Sequence, residues 1–454
     1  MGLFGILSFG KQGIFASQFG LNTTSNNITN ANTPGYARER ANFSPSYPQY
    51  TPYGPIGNGV DIASLQRLRD RALDFQYWSQ HSFQGNAESK EKYLNQIQNI
   101  FNDLNGDGFS NALDDFWNSW MNLSNQPADM SARSLVIERS KALVNKFHEK
   151  ANRLQSLSGS VVKDIQMTLD RINTLSQQIA DINNKIVQTN GSKFSNITLM
   201  DKRDQLIDDL SKLIHVNAAD GKNGVTNLNV GSISLVDGVT AAHLQLDQSK
   251  AQLALKFKNG EDIQEVGGQI GGLLNIKNQV ISGLQKKLND FAKNFVTSVN
   301  TLHKKYYGMD GYNGRNFFDS SGLSADTIAL NQKLANDPKQ IGVSSDGTPG
   351  DNSGAMAMAE LKDQPIMNSG ASTFSEFYGQ LLSEVGEAAN QNALAISENK
   401  AIVQSLDNQR QSMMGVSIEE EMVNMIKYQH SLQASSKIIS KTDEMIQSIL
   451  NMVG

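Results

Sequence analysis

Asp103-Leu104-Asn105-Gly106-Asp107-Gly108 is the stretch whose residue types and spacing come nearest to a chemical motif. Side-chain oxygens at the first, third and fifth positions, with glycine at the sixth, are what a calcium loop presents. Helical sequence flanks it on both sides. Yet Asp114 stands at the twelfth position, where calcium geometry favours a longer bidentate glutamate, and Phe109 occupies the place of the backbone ligand. A polar turn between two helices is the better reading, with Phe109, Leu113, Phe116, Trp117 and Trp120 packing beyond it, and no metal is expected. The six histidines, His81, His148, His215, His243, His303 and His430, are scattered singly, as satisfied or surface side chains are. The chain carries no phosphate-binding loop, no dinucleotide glycine fingerprint, no nucleophile elbow and no H-E-x-x-H pair. This pattern predicts no catalytic residues, no cofactor and no enzymatic activity.

Composition narrows the classes further. The chain has 454 residues, room for two to four domains, and a formal net charge of −5, which proposes no nucleic-acid partner. It contains 0 cysteines, so disulfides and thiolate sites are excluded. No apolar run is long enough to span a membrane. Leu3 to Phe9 is mostly apolar, but its first cation, Lys11, follows rather than precedes it, so a cleaved signal peptide is not expected. Gly2 lacks the Ser or Thr that acylation wants at position six, where Ile6 stands.

The two ends are the most patterned parts of the chain. Leu7, Ile14, Leu21 and Ile28 recur every seven residues, with Leu3, Gly10, Ser17 and Thr24 in the other seam position. A seven-residue repeat lays one stripe along a helix that can supercoil against a partner. The glycines weaken that helix alone and permit close approach of another backbone. At the far end Ile418, Met425, Leu432, Ile439, Ile446 and Val453 repeat with the same period, with Met422 and Leu450 on an alternate seam shared with Gln429, Ser436 and Asp443. Ser417 and Glu420 form a capping-box pattern at its start, just after Gly415.

Between the ends, apolar periodicity predicts helices over Val161 to Ile186, Met200 to Ile214, Ile270 to Leu302, and Thr373 to Met413, the last opened by a Thr373–Glu376 capping box. A break at Asn190-Gly191 separates the first two. From His215 to Val266 the pattern alternates with period two between Asp237-Gly238 and Asn259-Gly260 turns, as short antiparallel strands do. Residues 304–372, rich in Gly, Asn, Asp and Ser, read as extended loop, and residues 44–59, with four prolines among tyrosines, as an extended connector. The fold class is therefore mainly α: a long helical bundle built from both halves of the chain, terminal helices pairing as a coiled coil, and a small inserted β-rich domain. The boundaries expected are 1–60 with 415–454 for the terminal assembly domain, 61–214 with 268–414 for the helical rod, and 215–267 for the insert.

Asn26-Asn27-Ile28-Thr29-Asn30-Ala31-Asn32-Thr33-Pro34-Gly35-Tyr36-Ala37-Arg38 resembles the N-terminal signature shared by bacterial flagellar rod, hook and hook-associated proteins. Gly415 to Met422, Tyr428-Gln429, Ile438-Ile439-Ser440 and Asp443-Glu444-Met445 are similar to the ending of the hook-associated junction members. Asp201 to Leu206, Gly267 to Leu274 and Gly311 to Phe318 agree, in the right order. Within the signature Asn27, Asn30, Pro34, Gly35 and Tyr36 are the residues the resemblance singles out. It implies a structural subunit, exported unfolded by the flagellar type III apparatus, that forms a ring or helical oligomer between hook and filament. The partners implied are further copies of itself, the hook protein, a second junction protein and an export chaperone on the C-terminal helix, with no nucleic acid and no membrane. A hook or rod subunit, or a secreted adhesin using the β-rich insert, are the alternatives. Because a lone amphipathic helix covers none of its own stripe, residues 1–60 and 415–454 are expected to be loosely ordered in the free monomer.

Overall fold

The computed structural model describes residues 3–51, 54–102, 108–189, 196–250, 252–258, 260–263 and 266–453. The calcium-like Asp103–Asp107, the break at Asn190-Gly191, and Asn259 of the second turn lie outside the described residues.

Helix α1 (Leu3–Thr29) leads through a loop to a long antiparallel hairpin of β1 (Glu39–Pro45) and β4 (Val60–Arg67), whose tip carries the short pair β2 (Gln49–Thr51) and β3 (Gly54–Ile56). The proline-rich connector is thus extended, as its residues require, but it is paired. β4 straddles the expected boundary at residue 60. Helices α2 (Arg71–Phe101), α3 (Phe109–Asn125), α4 (Met130–Thr189) and α5 (Ile197–Leu213) follow. At 60 residues, α4 is the spine of the body. Its Ile165, Ile172, Ile179 and Ile186 are all fully buried, so the seven-residue spacing marks an interior stripe.

The β-rich segment is a four-stranded antiparallel sheet, β5 (Asn217–Asp220), β6 (Thr226–Val230), β7 (Ile233–Asp237) and β8 (Thr240–Ala241), followed by a hairpin of β9 (Leu244–Asp247) and β10 (Ala254–Phe257). Two asparagines of α4 fasten it. The Asn173 amide donates to Leu244 O at 3.0 Å and accepts from Leu244 N at 2.9 Å. Asn183 donates to Thr226 O at 2.9 Å and to Gly238 O at 2.7 Å. Each supplies hydrogen bonds to strand or turn backbone that would otherwise be buried unpaired.

The chain then runs as helix from α6 (Gly268–Asn275) through a π-turn at Ile276–Ile281 into α7 (Ser282–His303). The glycines before it have a steric cause: a Cβ on Gly272 would lie 2.5 Å from Asn86 O of α2, and Gly268 combines φ +69° with the backbone of Leu213 and Ile214 at 2.5 Å. After α7, residues 304–372 contain α8 (Gln332–Asn336), α9 (Ser353–Glu360), single 3-10 turns and isolated antiparallel bridges such as Tyr307 with Ser344. The expectation of little regular structure fits, but this is no open loop. Phe317 and Phe318 are fully buried, and Asn300 exchanges two hydrogen bonds with the Phe318 backbone, at 3.0 and 2.8 Å. Gly342 N donates to His303 Nε2 at 2.8 Å, which leaves Nδ1 protonated to donate to Arg315 O at 2.8 Å. His303 is a splint for irregular backbone. Finally α10 (Phe374–Met414) begins with both arms of the Thr373–Glu376 box formed, and α11 (Ile418–Val453) returns along α1.

The centre of the body is aromatic. Phe109 meets Phe147 edge-to-face at 4.7 Å, and Phe116 contacts Trp117, Phe295, Phe317 and Phe318. Geometries of this kind add to simple area burial and fix the approach of α3, α4, α7 and α10.

Candidate assembly interface and its neck

α1 and α11 pair antiparallel, since Gly10 lies against Ile439 while Gly20 lies against Tyr428. A Cβ on Gly10 would fall 2.5 Å from Ile439 Cγ1, on Gly13 2.4 Å from Ser435 Oγ, and on Gly20 2.7 Å from the Tyr428 ring. The helices therefore touch through a row of small residues: Gly10, Ser17, Gly20 and Thr24 are buried, whereas Leu7, Ile14, Leu21 and Ile28 are half-buried beside them. On α11, Met425, Leu432, Ile439 and Ile446 are likewise half-buried. Ile418, Met422 and Leu450 are exposed, Leu450 at 65%. The second seam row is Glu421, Tyr428, Ser435 and Thr442, one residue earlier than the Met422–Leu450 row read from the sequence. The reason is physical: a glycine-lined partner accepts Ser, Thr and a tyrosine ring at close range, so apolarity does not mark that row.

The signature residues form the joint at the inner end of this pair. Asn27 is buried; its Oδ1 accepts from Glu39 N at 2.9 Å and Tyr36 OH at 2.7 Å, and its Nδ2 donates to Glu39 O at 2.8 Å and Glu421 Oε2 at 3.2 Å. One amide thus ties α1, β1 and α11 together. Asn30 folds back on Asn26 and accepts from Thr33, which closes the end of α1 before exposed Pro34. Gly35 takes φ +79°, a left-handed turn that a side chain resists, and lies against Gln205 of α5. Burial, then the carboxylates of Glu39, Asp201 and Glu421, push the Tyr36 phenol well above its usual range, so it stays a donor. Arg38 pairs with Glu420 and Glu421, each at 2.7 Å, and its N–H donates to Met414 O at 2.9 Å. The Ser417 cap has one arm, Glu420 N to Ser417 Oγ at 3.3 Å, because the Glu420 carboxylate turns to Arg38.

Below the joint lies a neck of buried ion pairs. Arg67 meets Asp201 at 3.2 Å and Asp204 at 2.5 Å; Arg69 meets Asp74 at 2.6 Å and Asp204 at 3.4 Å. Arg71 joins Asp220 and Asp204. From the other side of the chain Arg410 reaches Asp74 at 3.1 Å and Asp208 at 3.0 Å, and lies 4.2 Å over the Tyr77 ring. Burial works to raise the Asp204 carboxyl, but Arg69, Arg67 and Arg203 outweigh it and hold it below the carboxylate range. Asp201 goes the other way, pushed up to about 6 by burial, with Arg67 and the Ala37 N–H only partly offsetting. Arg67 is shared, and Asp204 takes the shorter bond. The neck was not anticipated, though its signals are present: Arg67, Arg69 and Arg71 alternate with period two, and Asp201, Asp204 and Asp208 share one face of α5.

Nothing in this arrangement performs covalent chemistry. Among the described residues no three His, Asp or Glu side chains converge as a metal site, and no helix is long and apolar enough to cross a membrane. What the geometry provides is a helix pair joined to the body through one set of buried polar contacts, with much of its apolar surface uncovered.

Comparison with known proteins agrees with that shape. Residues 94–318 match the flagellar hook-associated protein FlgK helical domain, and residues 407–452 match the flagellar basal body rod FlgEFG protein C-terminal domain. Flagellar hook-associated protein 1 of Bacillus subtilis is 28% identical, the match covering 99% of this chain and 98% of that protein. The Salmonella typhimurium protein of the same name is 23% identical, over 98% of this chain and 99% of its own length. The solved flagellar hook junction protein FlgK from Burkholderia pseudomallei superposes with a TM-score of 0.66 at 15% identity, over 76% of this chain and 100% of its own, and shares the fold. With the helical body, the C-terminal helix and nearly the full length of the chain matched, the chain belongs to the FlgK family of flagellar hook-associated proteins.

Proposed function

We propose that this chain is a structural subunit at the junction of hook and filament, an extracellular part of the bacterial flagellum, and that its copies assemble through the paired terminal helices. The observation that carries this reading is the α1–α11 pair. Its own seam buries mainly small residues, while Met422, Val423, Ile426, Ile438, Met445 and Ile449 stay exposed. A large aliphatic side chain contributes about 1.5–3 kcal/mol only when covered, so such a helix is built to be covered by neighbours. The neck gives each pair a defined direction from the body, which a repeating assembly needs.

The partners that suit this surface are further copies, the hook protein on one side and a second junction protein on the other. Before assembly the same face of α11 needs cover, and an export chaperone on that helix would supply it. A cysteine-free chain fits passage through the type III apparatus unfolded, with no oxidative step to complete. A hook or rod subunit is less favoured, since the matched helical body belongs to the hook-associated members.

Immunogold labelling of isolated flagella with antibody against residues 215–266 tests the reading. A narrow band where hook meets filament is expected. Label spread along the hook would assign the chain to the hook instead, and unlabelled flagella would return the β-rich segment to the adhesin alternative.

A further inference from the structure

A cavity of about 750 Å³ opens beside the neck, between β4, the first turn of α5 and the turn from β5 to β6. Arg67, Arg69, Arg71 and Arg203 line it, against one carboxylate, Asp220, which sits at the rim with its side chain 62% exposed. Leu65, Ile197, Met200 and Val225 make the rest of the wall apolar. Each guanidinium offers five N–H donors and no acceptor, whereas a carboxylate has about four lone-pair sites. The Asp204 carboxylate is approached by all four arginines, at 2.5 Å from Arg67, 3.4 Å from Arg69, 3.5 Å from Arg71 and 3.6 Å from Arg203. Acceptors run short. Arg203 gives Nη1 to Asn183 Oδ1 and Gly224 O, while its Nε has no hydrogen bond, and neither has Arg69 Nη2. Both side chains are more than nine-tenths buried, where an unmade hydrogen bond to a cation is costly.

The charges of the neck are also unevenly placed. Asp208, and Asp74 which Arg69 shares, meet Arg410 on the α10 side. The cavity side holds Arg67, Arg69, Arg71 and Arg203 against Asp201, Asp204 and Asp220. The start of α5 adds to the imbalance. Asn196 turns its side chain to Thr189 and to Ile186 O, so no side chain caps this 17-residue helix where Asn196 and Ile197 line the cavity. Uncapped N–H groups at a helix start favour an anion.

We propose that this cavity is an oxyanion site: a phosphate group seats on Arg71, Arg203 and the first turn of α5, displaces the exposed Asp220 carboxylate from Arg71, and supplies the acceptors the cluster lacks. The apolar wall has room for a small organic substituent, so inorganic phosphate and a phosphate monoester share the chemistry the site recognises. Once seated, the anion joins α2, α5 and the β5–β6 turn through charge-assisted hydrogen bonds and stiffens the neck. The site is a property of the single chain and does not rest on the junction reading.

Titration calorimetry of the full-length chain at low ionic strength tests it, with inorganic phosphate and phenyl phosphate each set against matched chloride. Saturable binding is expected, of both where the bare ion suffices and of phenyl phosphate alone where the apolar wall is needed. Asp220→Asn removes the competing carboxylate at the rim and should tighten binding several-fold. Arg71→Gln should weaken it roughly tenfold. Asp220 is exposed, so its variant carries the test even where Arg71→Gln does not fold. No saturable binding of either anion to the unaltered chain at millimolar concentration would overturn the proposal. Binding that Asp220→Asn leaves unchanged or weakens would also overturn it, since the anion would then sit elsewhere.

Discussion

The aromatic centre of the body and the terminal helix pair are both helical packing, solved in opposite ways. In the body, Phe109, Phe116, Trp117, Phe147, Phe291 and Phe295 interlock from α3, α4 and α7 and are almost wholly buried. In the terminal pair the contact is Gly, Ser and Thr at close range, and the large side chains lie at its edges. The first arrangement spends its apolar area on the monomer. The second leaves that area for another molecule. Between them, the neck uses neither: Arg67, Arg69, Arg71 and Arg410 against Asp74, Asp201, Asp204 and Asp208 transmit direction through charge-assisted hydrogen bonds, whose angular demands are stricter than those of apolar contact.

That contrast can be broken at several levels. Phe116→Ala empties the middle of the aromatic cluster and is expected to cost about 3–5 kcal/mol, read as a lower midpoint in denaturant unfolding of the body. Asp204→Asn removes the carboxylate that Arg67, Arg69, Arg71 and Arg203 share, leaving buried cations short of a partner. A loss of about 3 kcal/mol is expected in the same measurement.

Asp201→Asn, a few residues away, sharpens the comparison within the neck. Its folded pKa of about 6 lies above the ordinary carboxylate value, so the folded chain binds that proton more tightly than the unfolded chain does. Stability from Asp201 therefore rises as pH falls through 6 towards about 4, and is lost as pH rises. Asp204 has the reverse sign: its folded pKa is depressed, so its contribution is full above about pH 4 and disappears as pH falls through the depressed value. Asp201→Asn is expected to change stability at pH 7 by less than about 1 kcal/mol or to increase it, and to flatten the pH dependence between 4 and 6. A loss as large as that of Asp204→Asn would show that the Arg67–Asp201 bond dominates over burial.

Leu432→Asp carries the smallest expected effect on the body, under about 0.5 kcal/mol, because its neighbours are α1 and solvent. Assembly and motility should nevertheless fail. In the free chain, amide exchange along α1 and α11 should be faster than along α4. Normal motility of Leu432→Asp, or end helices as protected as α4, would mean that the terminal pair is held by something other than its partners.

Much of this was legible in residue order. The stripe Ile165–Ile172–Ile179–Ile186, the Thr373–Glu376 cap and the period-two run after His215 each state a local preference that the fold keeps, since helix and strand periods are local properties. The signature from Asn26 to Arg38 pointed to the joint, although its chemistry became visible only when Asn27 met Glu39 and Glu421, the latter 394 positions away. Residues 304–372 misled in degree: Gly, Asn and Asp report that backbone is irregular, not whether His303 and Asn300 will bury it.

By itself, then, the sequence determined several of the long helices, the β-rich segment after His215, and that the two ends carry apolar stripes wanting a partner, but not the β1–β4 hairpin or the first half of α4. What it determined follows from spacing along one chain. Only the tertiary structure decided that small residues form the seam, that the second row of α11 begins at Glu421, and that arginines and aspartates from five separate segments make one neck. The reason is that these depend on close approach and shared charge between segments far apart in the chain, and no local period encodes either.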